Sequence, residues 1–330
     1  MRRREFITLL SGAAATWPLA ARAQQRDQPR RIAVLVTAYT QTDREGQARV
    51  AAFVDTLQRL GWSEGHTIRI EYRWAAGEAD LEKAYAAELV RSKPDVLMAN
   101  GNPVLVELHR LTSTIPIVFA QVGDPVGSGI VVDLAHPGGN ITGFMNFESE
   151  MGGKWVQLLR EAAPSMNRTA VVYGSDSPAT VGLLRAAQAA AAALAVEVTA
   201  VDVYHTADME RAIAEFASRP NGGLIVTPHS AAVANRASII VLAARHRLPA
   251  IYPYRYFATE GGLISYGPDQ IEQWRGAASY VDRILRGEKP GDLPVQAPTK
   301  FELVVNMKTA RVLNIDVPTT LSARADEVIE

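Results

Sequence analysis

The 330-residue chain contains no cysteine. That absence excludes a disulfide scaffold, a thiolate zinc site, an iron–sulfur cluster, a cysteine nucleophile and a lipid-modified N-terminal cysteine. An excess of charge is missing too. Its 34 Lys+Arg and 35 Asp+Glu leave a formal charge of -1, which argues against a nucleic-acid binder. Beyond the N-terminus no apolar run reaches the roughly 18 residues that a membrane span needs. Enzyme motifs are sparse. No G-x-G-x-x-G follows the first strand, Gly152-Gly153-Lys154-Trp155 lacks the rest of a phosphate-binding loop, and no G-x-S-x-G elbow occurs. His66, His109, His136, His205, His229 and His246 have no metal-like spacing, and Glu148 and Glu150 read as a solvated helix start. No cofactor or metal is expected.

What is present is an ordinary globular composition, 48% apolar and 21% charged, long enough for one large or two medium domains. The first 23 residues read as an address. Arg2, Arg3 and Arg4 precede a short apolar stretch, and Ala21-Arg22-Ala23 forms a cleavage site before Gln24. The order Arg3-Arg4-Glu5-Phe6-Ile7 fits a twin-arginine signal, which exports folded proteins. Cleavage after Ala23 would leave 307 residues with a charge of -4. A cysteine-free, mildly acidic exported chain fits a bacterial periplasm. Because that route often serves cofactor enzymes, an exported enzyme stands as one reading.

After a linker at 24–30, β-branched runs alternate with helical periodicity. Strands are expected at 31–36, 67–74, 95–99, 115–122 and 140–144, with helices opening at the Thr42-Asp43-Arg44-Glu45 capping box and over 80–92 and 103–111. A second cycle follows. Strands at 169–173, 197–203, 223–226, 250–254 and 262–266 are separated by helices over 151–163, 179–194, 208–217 and 232–245. Two cycles of about five strands predict an α/β protein with two doubly wound, Rossmann-like parallel-sheet lobes. A helix over 269–286 and a strand over 301–306 remain, so the chain is expected to recross between lobes.

Ligands in open parallel sheets bind beyond the carboxyl ends of the strands. Three exits carry a capping residue followed by proline: Gly101-Asn102-Pro103, Gly123-Asp124-Pro125 and Ser175-Asp176-Ser177-Pro178. The helix N-termini at Asn102 and Ser177 suit a carboxylate, and Asp124 can pair an ammonium. Ordinary capping explains each one singly. His229 follows a later strand. Tyr39, Tyr254 and Tyr266 sit at exits, where aromatic rings give a cleft apolar area.

Asp124-Pro125-Val126-Gly127-Ser128-Gly129, Pro137-Gly138-Gly139-Asn140-Ile141-Thr142-Gly143, Gly261-Gly262-Leu263-Ile264-Ser265-Tyr266-Gly267 and the stretch from Phe301 to Ala310 resemble the tryptophan/tyrosine-type ABC substrate-binding proteins. The resemblance implies a type I periplasmic-binding-protein fold with three crossovers. Lobe one would be 30–147 plus 269–288, and lobe two 148–268 plus 292–330. It also implies a small amino-acid-like ligand, an ABC permease as partner, and a monomer. Family members often carry Thr or Ser where this chain has Asn102, and a more acidic exit where it has His229-Ser230. A periplasmic partner of a membrane sensor would share all these features.

Overall fold

The computed structural model describes residues 28–203 and 205–330. The leader read over 1–23 and most of the following linker lie outside the described residues. The chain folds into two α/β lobes, each built on its own sheet.

The first sheet has the order β2-β1-β3-β4-β5 and is parallel throughout. Its strands are β1 (Arg30–Val36), β2 (Ile68–Trp74), β3 (Val96–Asn100), β4 (Ile117–Val122) and β5 (Ile141–Met145). The central strands β3 and β4 are buried along their whole length, which accounts for the apolar runs Val96–Ala99 and Ile117–Ala120. Helices α1 (Arg44–Arg59), α2 (Ala79–Arg91) and α3 (Asn102–Leu111) connect the strands. The α1 cap is Asp43, whose carboxylate accepts from Glu45 N and Gly46 N at 2.9 and 3.1 Å.

The second lobe holds β6 (Arg168–Tyr173), β7 (Glu197–Asp202), β8 (Gly222–Val226), β9 (Ala250–Tyr252), β10 (Ile264–Pro268), β11 (Phe301–Asn306) and β12 (Glu327–Ile329). Their order is β12-β11-β10-β9-β8-β6-β7. The five strands from β6 to β10 are parallel, and β11 joins antiparallel to β10 with β12 alongside it. This sheet is therefore larger than the five strands expected, because the tail strand adds to its edge and brings β12 with it. Helices α4 (Met151–Ala162), α5 (Pro178–Ala193) and α6 (Thr206–Ala217) follow the pattern read from the sequence. The expected helix over 232–245 is two helices, α7 (Ser230–Ala234) and α8 (Arg236–Arg245). The break falls at Asn235, whose side chain bonds back to Ala231 O at 2.9 Å. The strand expected to reach Tyr254 stops at Tyr252, before Pro253, and a short α9 (Arg255–Thr259) takes its place.

Helix α10 (Gln270–Leu285) leaves the second lobe and covers the first sheet. Its Trp274 is fully buried edge-on to Phe53 of α1, at 6.1 Å between ring centres. Burying an aromatic of this size contributes roughly 3 kcal/mol. The chain then stays beside β5: Gln296 N donates to Gly143 O at 2.9 Å, and Met145 N donates to Gln296 O at 2.8 Å. Residues 292–296 thus lie with the first sheet rather than the second. Three chain passages join the lobes: between β5 and α4, at Asp269 between β10 and α10, and between Gln296 and β11. The tail closes with α11 (Met307–Leu313) and α12 (Thr319–Ser322). Among the described residues, no helix is long and apolar enough to cross a membrane.

Candidate functional site

A cleft of about 550 Å³ opens between the facing rims. The first lobe contributes Thr37, Tyr39, Glu82, Asn100, Gly101, Asn102 and Gln121, and the second contributes Asp176, Ser177, Pro178, Pro228 and His229. Apolar atoms from Ala38, Pro103, Val106 and Val233 line the same space. A mostly apolar concavity with a few placed polar groups is the usual form of a small-molecule site.

Of the residues singled out from the sequence, Tyr39, Gly101, Asn102, Ser177, His229 and Tyr254 lie on this cleft. Gly101 caps α3 at φ +95°, where a Cβ would also strike Thr37 Cγ2 at 2.5 Å. Asn102 ties the exits of β3 and β4 together, donating to Gly123 O at 2.7 Å and accepting from Gly123 N at 2.9 Å. No side chain caps the N-terminus of α3 or of α5, so both helices begin with N–H groups free of a side-chain cap. His229 Nδ1 accepts from Ala231 N at 3.3 Å, which places the proton on Nε2 facing Asp176 Oδ1 at 3.0 Å. Gly174 leaves room for that ring, since a Cβ there would lie 2.3 Å from His229 Cδ2.

Three others lie elsewhere. Asp124 borders a small neighbouring pocket, not the larger cleft, and its Oδ1 accepts from Gly127 N at 2.8 Å. It closes its own turn, the capping role weighed against ligand contact. Ser175 is exposed in a turn, one residue short of the cleft-lining Asp176. Tyr266 is inside β10 and not at an exit. It stacks on Phe301 at 5.8 Å, away from the cleft.

Sequence reading missed Thr37, Glu82, Asn100, Gln121 and Asp176. Glu82 projects from the first turn of α2, is 5% exposed and accepts a hydrogen bond from Thr37 Oγ1. Burial pushes its carboxyl above the ordinary range, against the Thr37 bond and the nearby His229. Gln121 has φ +62° at a register shift in the β4–β5 pairing. That bulge turns its amide toward Asn100, whose Nδ2 donates to Gln121 Oε1 at 2.5 Å. Gln121 Nε2 is buried and has no hydrogen-bond partner among the described residues.

Beside the cleft the lobes touch. Tyr39 and Tyr256 place their hydroxyls 3.2 Å apart. The buried Arg49 lies 4.8 Å from the Tyr39 ring centre and 5.3 Å from that of Tyr256, and hydrogen-bonds Gln270 at the start of α10. Burial raises all three phenols Tyr39, Tyr254 and Tyr256. Further out, Arg236 of α8 reaches Asp43 at 2.8 Å while Glu260 holds it at 3.0 Å. Gly123 and Ala179 also face each other across the lobes, with room for no Cβ at Gly123.

Two Rossmann-like lobes, three chain passages and a cleft lined from both sides define a solute-binding protein of the two-lobed type. A model of the ABC transporter substrate binding protein family matches residues 33–329, and the chain belongs to that family. A tyrosine-binding protein of Clostridioides difficile (strain R20291) is 23% identical over 263 residues, covering 80% of this chain and 75% of that protein. A conserved domain protein from Vibrio cholerae superposes with a TM-score of 0.85 at 27% identity, covering 91% of this chain and all of the other. An ABC domain from Streptococcus pneumoniae in complex with L-Trp gives a TM-score of 0.84 at 21% identity over 92% of this chain. The family consists of solute-binding proteins rather than enzymes. Its members bind small molecules and work with an ABC permease.

Proposed function

We propose that this protein is the exported receptor of an ABC importer, which captures a small amino-acid-like or aromatic carboxylate solute between its lobes and delivers it to an inner-membrane permease. The cleft carries the reading: about 550 Å³, enclosed by two rims that neither lobe supplies alone. The N–H groups at the starts of α3 and α5, and the Gln121 Nε2, which has no partner among the described residues, suit a ligand carboxylate. The apolar walls and the Tyr39 and Tyr254 rings suit an apolar body. The tyrosine-binding and L-Trp-bound relatives support an amino acid as ligand. Closure is a population shift, favoured only by contacts that the closed form has and the open form lacks. The monomeric, periplasmic protein, released from its leader after Ala23, would diffuse to the permease.

Mass spectrometry of the denatured protein identifies any solute that co-purifies. Thermal shift of refolded, ligand-free protein then ranks amino acids and aromatic acids. Stabilisation by one or a few of them is expected. A refolded protein with an intact melting transition that answers none of a broad panel would remove the receptor reading.

A further inference from the structure

The cleft holds one charged side chain whose setting capping and packing leave unexplained. Glu82 is 5% exposed, lines the cleft, and among the described residues its carboxylate has one hydrogen-bond partner, the Thr37 hydroxyl. A carboxylate has about four acceptor positions, so one hydroxyl leaves most of them unmet. No Lys or Arg among the described residues forms an ion pair with it. Lys83 follows it in sequence and also lines the cleft, yet is exposed and makes no such pair. A buried charge without a counter-ion is costly and persists where something else supplies the opposite charge. From the other lobe, Asp176 and His229 are near enough to act on Glu82 electrostatically. The two act in opposite senses and already pair with each other at 3.0 Å, so the charge left unmet in the cleft is that of Glu82.

Asp124, the carboxylate that the sequence singles out for an ammonium, differs on each count. It borders a different pocket, and its side chain folds over Gly127, where it accepts from the backbone. We propose that Glu82, rather than Asp124, receives the ammonium group of the ligand, with Thr37 positioning the carboxylate. The inference rests on the reading of the cleft as an amino-acid site and assigns its cationic end. The ligand is thus a zwitterion, and the same acid without its amine is a poor substitute. A ligand ammonium supplies three N–H donors and the missing charge in one group.

Calorimetry with matched pairs tests this: L-tyrosine against 3-(4-hydroxyphenyl)propionate, and L-tryptophan against 3-(indol-3-yl)propionate. The unaltered protein is expected to bind the member with the amine at least about tenfold more tightly. Glu82→Gln should reduce that preference to about threefold or less, weakening the amine-bearing member and binding the amine-free acid no more weakly than before, because a charge-assisted hydrogen bond and a repulsion of the bare acid are lost together. Asp124→Asn should leave the preference unchanged. Thr37→Val, which keeps the charge but removes the bond that positions it, should lower the preference by less than Glu82→Gln does and guards against a Glu82 variant that fails to fold. A preference that survives Glu82→Gln, or that falls with Asp124→Asn, overturns the assignment. So does equal binding of both pair members, which leaves the cleft reading intact. If neither pair binds, the amino acid ranked first by the thermal-shift panel and its amine-free acid form the test pair, and a panel with no amino acid bound removes that reading and the assignment together.

Discussion

Asp43 and Arg236 meet at 2.8 Å although they belong to different lobes, the first capping α1 and the second opening α8. Glu260, on the same lobe as Arg236, holds the guanidinium from its other side. A pair of this kind exists only while the lobes are together, so it acts on the balance between closed and open forms. Asp43→Asn removes the charge but keeps a capping oxygen. It should weaken ligand binding by about two- to fivefold, in line with the 0.2–1 kcal/mol of a partly exposed ion pair. The ligand-free radius of gyration in small-angle scattering should rise with it. Asp43→Ala should in addition lose about 1 kcal/mol of stability with the cap. Equal melting temperatures for the two variants would remove the capping part of this account.

The same pair sets a pH dependence. Burial pushes the Asp43 carboxyl up, but the Arg236 hydrogen bond and the backbone N–H groups of Gly46 and Glu45 outweigh it and hold the group below the ordinary carboxylate range. A depressed value in the folded state means that this stabilisation is fully present above the unfolded-state value of about 3.9. It is lost as pH falls through the depressed folded value. Asp176, held low by its His229 hydrogen bond, acts in the same direction. Arg236→Ala should therefore flatten the fall in melting temperature between about pH 5 and pH 3, and Glu260→Gln, which removes the other carboxylate on Arg236, serves as the control for that second pair. Parallel curves would show that Asp43 owes its acidity to its helix cap and not to Arg236.

Within the second lobe, α4 and α5 touch at Gly152, where a Cβ would fall 2.0 Å from the Leu183 carbonyl oxygen. Backbone cannot yield as a side chain can. Gly152→Ala should cost about 1–3 kcal/mol in urea unfolding despite alanine's better helix propensity. Gly153, whose Cβ would first meet Ala190 Cβ at 3.2 Å, should tolerate the same change with a smaller loss.

Asn102 joins two strand exits through both atoms of its amide. Asn102→Ala should free the Gly123 amide, whose hydrogen exchange should speed up by about tenfold or more. Exchange unchanged at Gly123 would mean that the loop is held by its contact with Ala179 instead.

The alternation of strand and helix was legible because it is local. The run from Ile32 to Val36 is short and apolar, and Asp43 announces a helix start. The crossover helix could also be read, from the stripe that puts Trp274, Ala278, Val281 and Leu285 in the core. The cleft was legible at Asn102, Ser177 and His229, where a turn residue follows a buried strand. It was not legible at Glu82, which looks like an acidic residue in the first turn of an exposed helix. Only the packing of α2 beside Thr37 carries it into the cleft. Gln121 was hidden for a related reason: a register shift and a left-handed backbone turn its side chain, and neither leaves a mark on residue spacing. Asp124 follows the right strand, but side-chain direction depends on the turn it makes with Gly127.

Helix α10 is translated after strands β6 to β10 of the second lobe, yet it packs on the sheet formed from the first part of the chain. The nascent N-terminal half therefore leaves the ribosome with one face bare around Phe53, and no early fragment can complete it. Products that stop short of Leu285 should be insoluble or quickly degraded, even though every strand of the first sheet is already made.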